Sequence, residues 1–196
     1  MVFDIGGVLV TAESAALALA PSVGVDPRSF DDAYWQHRPA FDLGGVSAAE
    51  YWGAVAADVG LELSAEQVEQ YDHVDATRWA QLSLGSAELL ADVAAAPVRT
   101  GILSNAPRSL ATQVRAGWGT WASTAVFSAE VGMMKPDARI YELVEDGLGM
   151  PGESIAFFDD RPENVAAARE RGWRAHVWES PERCRVALRE LGVLDG

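Results

Sequence analysis

Four short stretches of this 196-residue chain carry side chains that could do chemistry. The first is Met1-Val-Phe-Asp-Ile-Gly-Gly-Val-Leu9, an apolar run that leads into Asp4 and then into two glycines. A carboxylate presented at a strand's end serves as a nucleophile, a metal ligand or a turn former. Gly6 and Gly7 allow positive φ and a close backbone approach to a ligand. The second stretch is Ser104-Asn105, at the end of another apolar run. The third, Lys135-Pro136-Asp137, precedes a helical pattern, and the fourth, Phe157-Phe158-Asp159-Asp160, closes a third apolar run with two acids. Of the 15 basic residues, 14 are Arg and only Lys135 is Lys. A chain that otherwise uses guanidinium has kept a compact ammonium at one place, which reads as a chemical requirement there.

The elements that must position these residues are alternating helices and strands. From Ser86 onward the pattern predicts helix 87–95, strand 98–104, helix 108–116, strand 124–128, helix 137–147, strand 154–158, helix 163–171, strand 174–178 and a last helix over 181–191. Ile155-Ala-Phe-Phe158 is apolar at every position, as a strand covered on both faces should be. Pro136, Pro162 and Pro181 are expected in first helical turns, where a missing N–H is tolerated. Repeated strand–helix units mean a parallel sheet with right-handed crossovers. With the first strand central, the strand ending at Asp160 lies on one side of it and the strand ending at Ser104 on the other. Asp4, Ser104, Asn105, Asp159 and Asp160 then converge at the carboxyl ends of the strands, where such sheets bind ligands, and Lys135 reaches the same rim. Three carboxylates gathered there raise one another's pKa and call for a cation. A hard divalent ion with oxygen ligands, Mg²⁺ foremost, meets that need and accepts substrate phosphate as a further ligand.

Between these parts lies an insert of different character. Residues 12–84 hold 12 acids against 3 bases, net −9, while the remainder nets −5. Ser47-Ala-Ala-Glu50 and Ser64-Ala-Glu-Gln67 fit the capping box, and Tyr51, Trp52, Val55, Ala56 and Val59 fall on one helical face. The expected architecture is therefore α/β: a Rossmann-like three-layer core with a central parallel sheet, residues 1–11 and 85–196, plus an inserted cap of about four helices, residues 12–84. Apolar content of 49% with mean hydropathy near zero fits a globular protein. No long apolar run and no basic leader segment are evident, so the expectation is a cytoplasmic protein without membrane contact. Cys184 is the only cysteine, which rules out an intrachain disulfide and reads as a structural thiol. A net charge of −14 argues against nucleic acid as a partner.

Taken in order, the four stretches resemble the haloacid dehalogenase-like hydrolase superfamily over nearly the whole chain. The resemblance implies that Asp4 is the nucleophile of an aspartyl-phosphate intermediate. It likewise implies that Ser104 holds the phosphoryl group beside Asn105 and that Lys135 neutralises the nucleophile and the transferring oxygens. Mg²⁺ would be held by Asp4, Asp160 and the Gly6 carbonyl, with Asp159 and Asn164 as supporting groups; for Asn164 a plain helix-surface amide is the alternative. The chain departs from the phosphatase pattern at Gly6, where a second Asp commonly serves as general acid and base. That loss removes a typical factor of about 10² to 10⁴, and favours leaving oxygens that are already weak bases, such as anomeric or aryl ones. The implied function is Mg²⁺-dependent hydrolysis of a small phosphorylated metabolite by a monomer or homodimer. Two rivals stand beside it: a metal-free 2-haloacid dehalogenase, which also lacks the second Asp, and a catalytically degenerate binding module. Within the cap, Tyr34-Trp-Gln-His-Arg38 offers Arg38 for a substrate anion and His37 for the missing proton, against surface ion pairing as the plainer reading of each. Trp35, Trp52 and Trp79 read as core.

Overall fold

In the computed structural model, residues 1–195 are described. The first strand, β1 (Val2–Phe3), is short and is followed by four helices: α1 (Ala15–Val23), α2 (Pro27–Asp42), α3 (Ala48–Asp58) and α4 (Ala65–Trp79). The chain then alternates through α5 (Leu84–Ala95), β2 (Gly101–Ser104), α6 (Arg108–Ala116), β3 (Thr124–Phe127), α7 (Ser128–Val131), α8 (Ala138–Leu148), β4 (Ala156–Asp159), α9 (Pro162–Glu170), β5 (Arg174–Val177) and α10 (Pro181–Glu190). All five strands run parallel in the order β3-β2-β1-β4-β5, so β1 is central as expected.

Neighbouring residues of a strand point to opposite faces, and in β1, β2 and β4 both faces are buried. Val2, Leu103 and Phe157 pack with Ile140, Tyr141 and Val144 of α8 and Val165 of α9. Phe3 and Phe158 point the other way, against Leu89 and Val93 of α5 and Leu188 of α10, and Ile102 meets Leu110 and Val114 of α6. This makes three layers and explains why β1, β2 and β4 are apolar up to the residues that end them, while the edge strand β5 carries the exposed Arg174. The four helices α1–α4 have an apolar cluster of their own around Phe30, Tyr34, Phe41, Tyr51, Trp52 and Tyr71. Both capping boxes form, Ser47 with Glu50 and Ser64 with Gln67.

The strands are shorter than the apolar runs that announce them. The run over 98–104 pairs only from Gly101, because β1 offers its first partner at Val2, and residues 152–154 form a 3₁₀ turn ahead of β4. Pro162 and Pro181 open α9 and α10. Pro136 does not open α8: it lies in a preceding turn, and Asp137 caps that helix by accepting from Arg139 N at 3.0 Å. The 3₁₀ turn at Trp118–Trp121 and the single turn of α7 have no sequence signal.

The helical insert meets the core at a few polar points. Ser128 Oγ donates to Asp42 O, Ser109 Oγ to Asp72 at 2.9 Å and Trp118 Nε1 to Ala80 O at 2.8 Å. Beside the first of these, Gly44 (φ +77°) lies so close to Ala129 that a Cβ would overlap its backbone. Gly24, the αL residue ending α1 at φ +71°, has open space around it. Gly44→Ala should therefore cost clearly more stability than Gly24→Ala, whose penalty is the backbone strain alone, about 1 kcal/mol. Chemical denaturation of the two variants checks this, and equal losses would show that the Gly44 contact is not tight.

Candidate active site

The register of the central strands decides where Asp4 emerges. Phe3 lies opposite Ile102 and Phe158, and Asp4 N donates to Phe158 O at 3.0 Å, so Asp4 stands between the ends of β2 and β4. The chain then turns at once, with the N–H groups of Val8, Leu9 and Val10 all directed to Ile5 O. Only the second glycine needs its freedom here: Gly7 has φ +73°, and a Cβ on it would overlap the Asp160 carboxylate. Gly6 keeps negative φ, so the turn places no positive-φ demand on it. A Cβ on Gly6 would stand 3.5 Å from the ring of Trp79, which therefore occupies the space a longer side chain would enter.

Lys135 is 3% exposed and sits among acceptors. Its Nζ donates to Leu103 O at 2.9 Å and to Asp159 Oδ2 at 2.6 Å, and lies 3.0 Å from Asp4 Oδ1. Asn105 fixes the lysine's backbone from both sides, accepting from Lys135 N at 2.8 Å and donating to Lys135 O at 3.0 Å. Its amide is thus engaged in positioning Lys135, although the residue also lines the cavity. Asp159 is fully buried with both oxygens engaged: Oδ1 accepts from Arg161 N and from Asn164 Nδ2, each at 2.9 Å, and Oδ2 from Lys135. Asn164 is buried rather than on a helix surface, and Tyr141 holds its carbonyl at 2.9 Å.

These contacts set the charges. Burial pushes the Asp4 carboxyl up to about 6 even against the opposing pull of Lys135. Burial pulls Lys135 the other way, but the Asp4 and Asp159 carboxylates outweigh it and hold the ammonium above its ordinary value. Asp160 is raised by burial and then by Asp159.

A cation fits this donor set. Asp4, Asp159 and Asp160 each bring a carboxylate oxygen within 4.8 Å of the others. With Asp159 committed to Lys135, Asn164 and Arg161, the free lone pairs belong to Asp4 and Asp160. Asp4 Oδ1 is buried and its approach to Lys135 is an ion pair without hydrogen-bond geometry, leaving that oxygen unsatisfied. Buried acceptors are seldom left so, and an oxygen-seeking divalent ion would satisfy it.

A cavity of about 480 Å³ opens over these groups, lined at its floor by Asp4, Gly6, Gly7, Ser104, Asn105, Lys135, Asp160 and Asn164. The lining continues along one face of α2, with Trp35, Arg38, Pro39 and Asp42, and at Trp79, which packs next to Gly6. Arg38 reaches the cavity but is buried and largely spent within the helices: Nε donates to Asp42 at 2.6 Å, and Nη1 to Asp75 at 3.0 Å and to Tyr34. His37 does not reach it. Its ring lies 2.8 Å from Asp58 of α3, because on α2 it sits off the face that carries Arg38. Of the three tryptophans that read as core, Trp52 is fully buried and Trp79 packs in the cluster of Ile5, Val10 and Ile102 while also lining the cavity; Trp35 is not core but half-exposed at the cavity. For Trp35 the signal is in the spacing, since 35, 38, 39 and 42 share one face of α2.

Comparison with known proteins agrees with this geometry. The family model described as haloacid dehalogenase-like hydrolase matches residues 1–172. A phosphatase of Mycobacterium tuberculosis is 26% identical over 178 residues, spanning 86% of this chain and 76% of the relative. Among solved structures, a haloacid dehalogenase family enzyme of Bacteroides thetaiotaomicron, in complex with magnesium and inorganic phosphate, superposes with a TM-score of 0.74 at 18% identity, covering 91% of this chain and 93% of that one. An L-2-haloacid dehalogenase of Xanthobacter autotrophicus with chloropropionic acid covalently bound superposes at 0.70 and 20% identity, covering 99% and 83%. At these identities the superpositions speak for the fold.

Two variants separate the buried charges. Lys135→Met leaves Asp4 and Asp159 facing one another without a counter-charge and should cost about 3–5 kcal/mol. Asp4→Asn removes a carboxylate whose folded-state pKa lies above its unfolded value, so the wild-type folded state binds the proton more tightly. Its ionised form therefore destabilises above about pH 6 and not below about pH 4. In chelator, Asp4→Asn should melt higher than wild type at pH 7–8, with the gap closing toward pH 4; a gap that widens as pH falls would reverse the assignment.

Proposed function

The chain belongs to the haloacid dehalogenase-like hydrolases, and within that family we propose that it is a Mg²⁺-dependent phosphomonoesterase acting on a small phosphorylated metabolite. The observation that carries this reading is the pair Asp159-Asp160 gathered with Asp4, two of whose members keep free oxygens. Asp159 is taken up by Lys135, Arg161 N and Asn164, so the additional charge is that of Asp160, which a divalent ion would neutralise. The likeness to a phosphatase and to an enzyme solved with magnesium and phosphate supports the same reading.

In this mechanism Asp4 attacks phosphorus with the oxygen that faces the cavity, forming an aspartyl phosphate that water then hydrolyses. Lys135, held by Leu103 O and Asp159, keeps Asp4 ionised and neutralises charge that develops on the phosphoryl oxygens. Ser104, buried at the end of β2, donates to the phosphoryl group. Asp4, Asp160 and the Gly6 carbonyl would hold Mg²⁺, which when bound supplies charge neutralisation on the transferring group. Asp159 and Asn164 orient Lys135, and Asn105 fixes the backbone of the same residue. Helices α1–α4 serve as the cap, closing the cavity with α2 and Trp79.

With no acid at position 6, the leaving oxygen departs without a proton from this part of the enzyme. A dehalogenase reading draws on the same absence, since an alkyl halide needs no such proton, and is tested alongside. Phosphorylated metabolites are assayed for phosphate release with and without Mg²⁺, and 2-chloropropionate for chloride release. The expected result is Mg²⁺-dependent phosphate release with a kcat/KM that falls steeply as leaving-group pKa rises. Asp4→Asn should abolish turnover, and Asp160→Asn should raise the Mg²⁺ concentration needed by about tenfold or more. Metal-independent chloride release would establish the dehalogenase instead, and silence in both assays the binding module.

A further inference from the structure

Trp35 is an anomaly among the aromatics of the helical insert. Tyr34, Tyr51 and Trp52 are essentially inaccessible, yet Trp35 is 47% exposed at the cavity. It meets Trp79 edge to face, with centroids 6.1 Å apart and ring planes at 80°. Its other side meets Tyr34 in the same manner, at 4.9 Å and 86°. Two indoles in edge-to-face contact thus line the cavity, Trp79 next to Gly6 and Trp35 beyond it, and Ala12, Pro39, Leu110 and Met134 continue the apolar lining.

Trp79 is held there by a buried polar knot. Its Nε1–H donates to Tyr34 Oη at 3.0 Å, Tyr34 Oη donates to Asp75 at 2.6 Å, and Arg38 closes the knot through Asp75 and Tyr34. The indole N–H is consequently spent, and what Trp79 offers toward Gly6 is carbon. The leaving group of a phosphate ester attached at Asp4 would thus meet carbon at Trp79 and a half-exposed indole at Trp35. A sugar or polyol leaving group requires several hydroxyl partners, and beyond the groups around Asp4 the lining has few: Thr11, Asp42, Arg161, which pairs with Glu163, and whatever Arg38 has left over.

We propose that Trp35 and Trp79 form the leaving-group subsite and that the substrate is an aryl phosphomonoester, a class that rests on the phosphatase reading above. Planar rings suit edge-to-face and offset contact with indoles, and a phenolate needs no acid at position 6. In the reaction an Asp4 oxygen forms the new bond to phosphorus. The P–O bond to the ring oxygen breaks with its electron pair leaving on the phenolate, which takes a proton from water. A second water then attacks phosphorus, releasing inorganic phosphate and restoring the Asp4 carboxylate.

The test compares phenyl phosphates with fluorinated alkyl phosphates of matched leaving-group pKa, so that basicity and ring are separated. Wild type should prefer the aryl ester, and Trp35→Ala, a change at a half-exposed position, should reduce the aryl-to-alkyl ratio of kcat/KM by about 2- to 10-fold, chiefly through KM. Product inhibition by phenol should weaken in parallel. Trp79→Phe keeps an aromatic face while dropping the bond to Tyr34, and should retain more of the aryl preference than Trp79→Leu. Equal handling of the matched esters by wild type, with both turned over, would overturn the aromatic subsite and leave the phosphatase standing. Phosphate release from no ester, with chloride released from 2-chloropropionate, would overturn both.

Discussion

An ammonium withdrawn from water must be neutralised where it sits, and the active-site end of this protein is arranged around that demand at Lys135. The Leu103 carbonyl, Asp159 and Asp4 surround its Nζ, and the ring of Phe157 lies 5.5 Å away. Each neighbour is in turn fixed by something else. Asp159 is held by Asn164 and the Arg161 N–H, Asn164 by Tyr141, and the lysine's own backbone by Asn105. Removing the cation would therefore disturb β2, β4 and the start of α9 together. Burial first, and the Asp159 carboxylate after it, leave Asp4 ionised reluctantly against the pull of Lys135.

A second buried knot, in the helical insert, does for the wall what Lys135 does for the floor. Tyr34, Arg38 and Asp75 satisfy one another out of water and hold Trp79 by its N–H. Burial raises the Tyr34 hydroxyl far above its ordinary range, so it stays a donor to Asp75 and an acceptor for Trp79. The two knots have different makeups: one fixes charges, the other fixes a hydrocarbon surface. The cavity lies between them, which is why its floor is ionic and its far side largely apolar.

Much of this was legible in the sequence because the strands are short and end in the residues that line the cavity or hold Lys135. Asp4, Ser104 and Asp159 follow apolar runs that are uniform because both sheet faces are covered, and Lys135 stands out as the single lysine. The capping boxes likewise name their helices. Less was legible wherever the outcome depended on how elements rotate against one another. Whether His37 or Asp42 faces the cavity follows from the roll of α2 about its axis, which the packing of Phe30, Tyr34 and Phe41 sets. Asp75 looks like one more acid of an acidic helix, yet it is wholly buried. Gly6 signalled a missing acid, but not that an indole far along the chain stands in its place. Pro136 misled because its ring suits the first turn of a helix and the preceding turn equally well.

The central position of β1 has a consequence for how the chain assembles. Val2 finds its partners only at Gly101 and Phe157, each beyond a long stretch of intervening chain. Helices α1–α4, by contrast, pack around an aromatic cluster drawn from residues near one another in sequence. Closing such long loops spends entropy before any pairing repays it. The sheet therefore has no centre until β2 has been made, and β5 has no neighbour until β4 has joined β1.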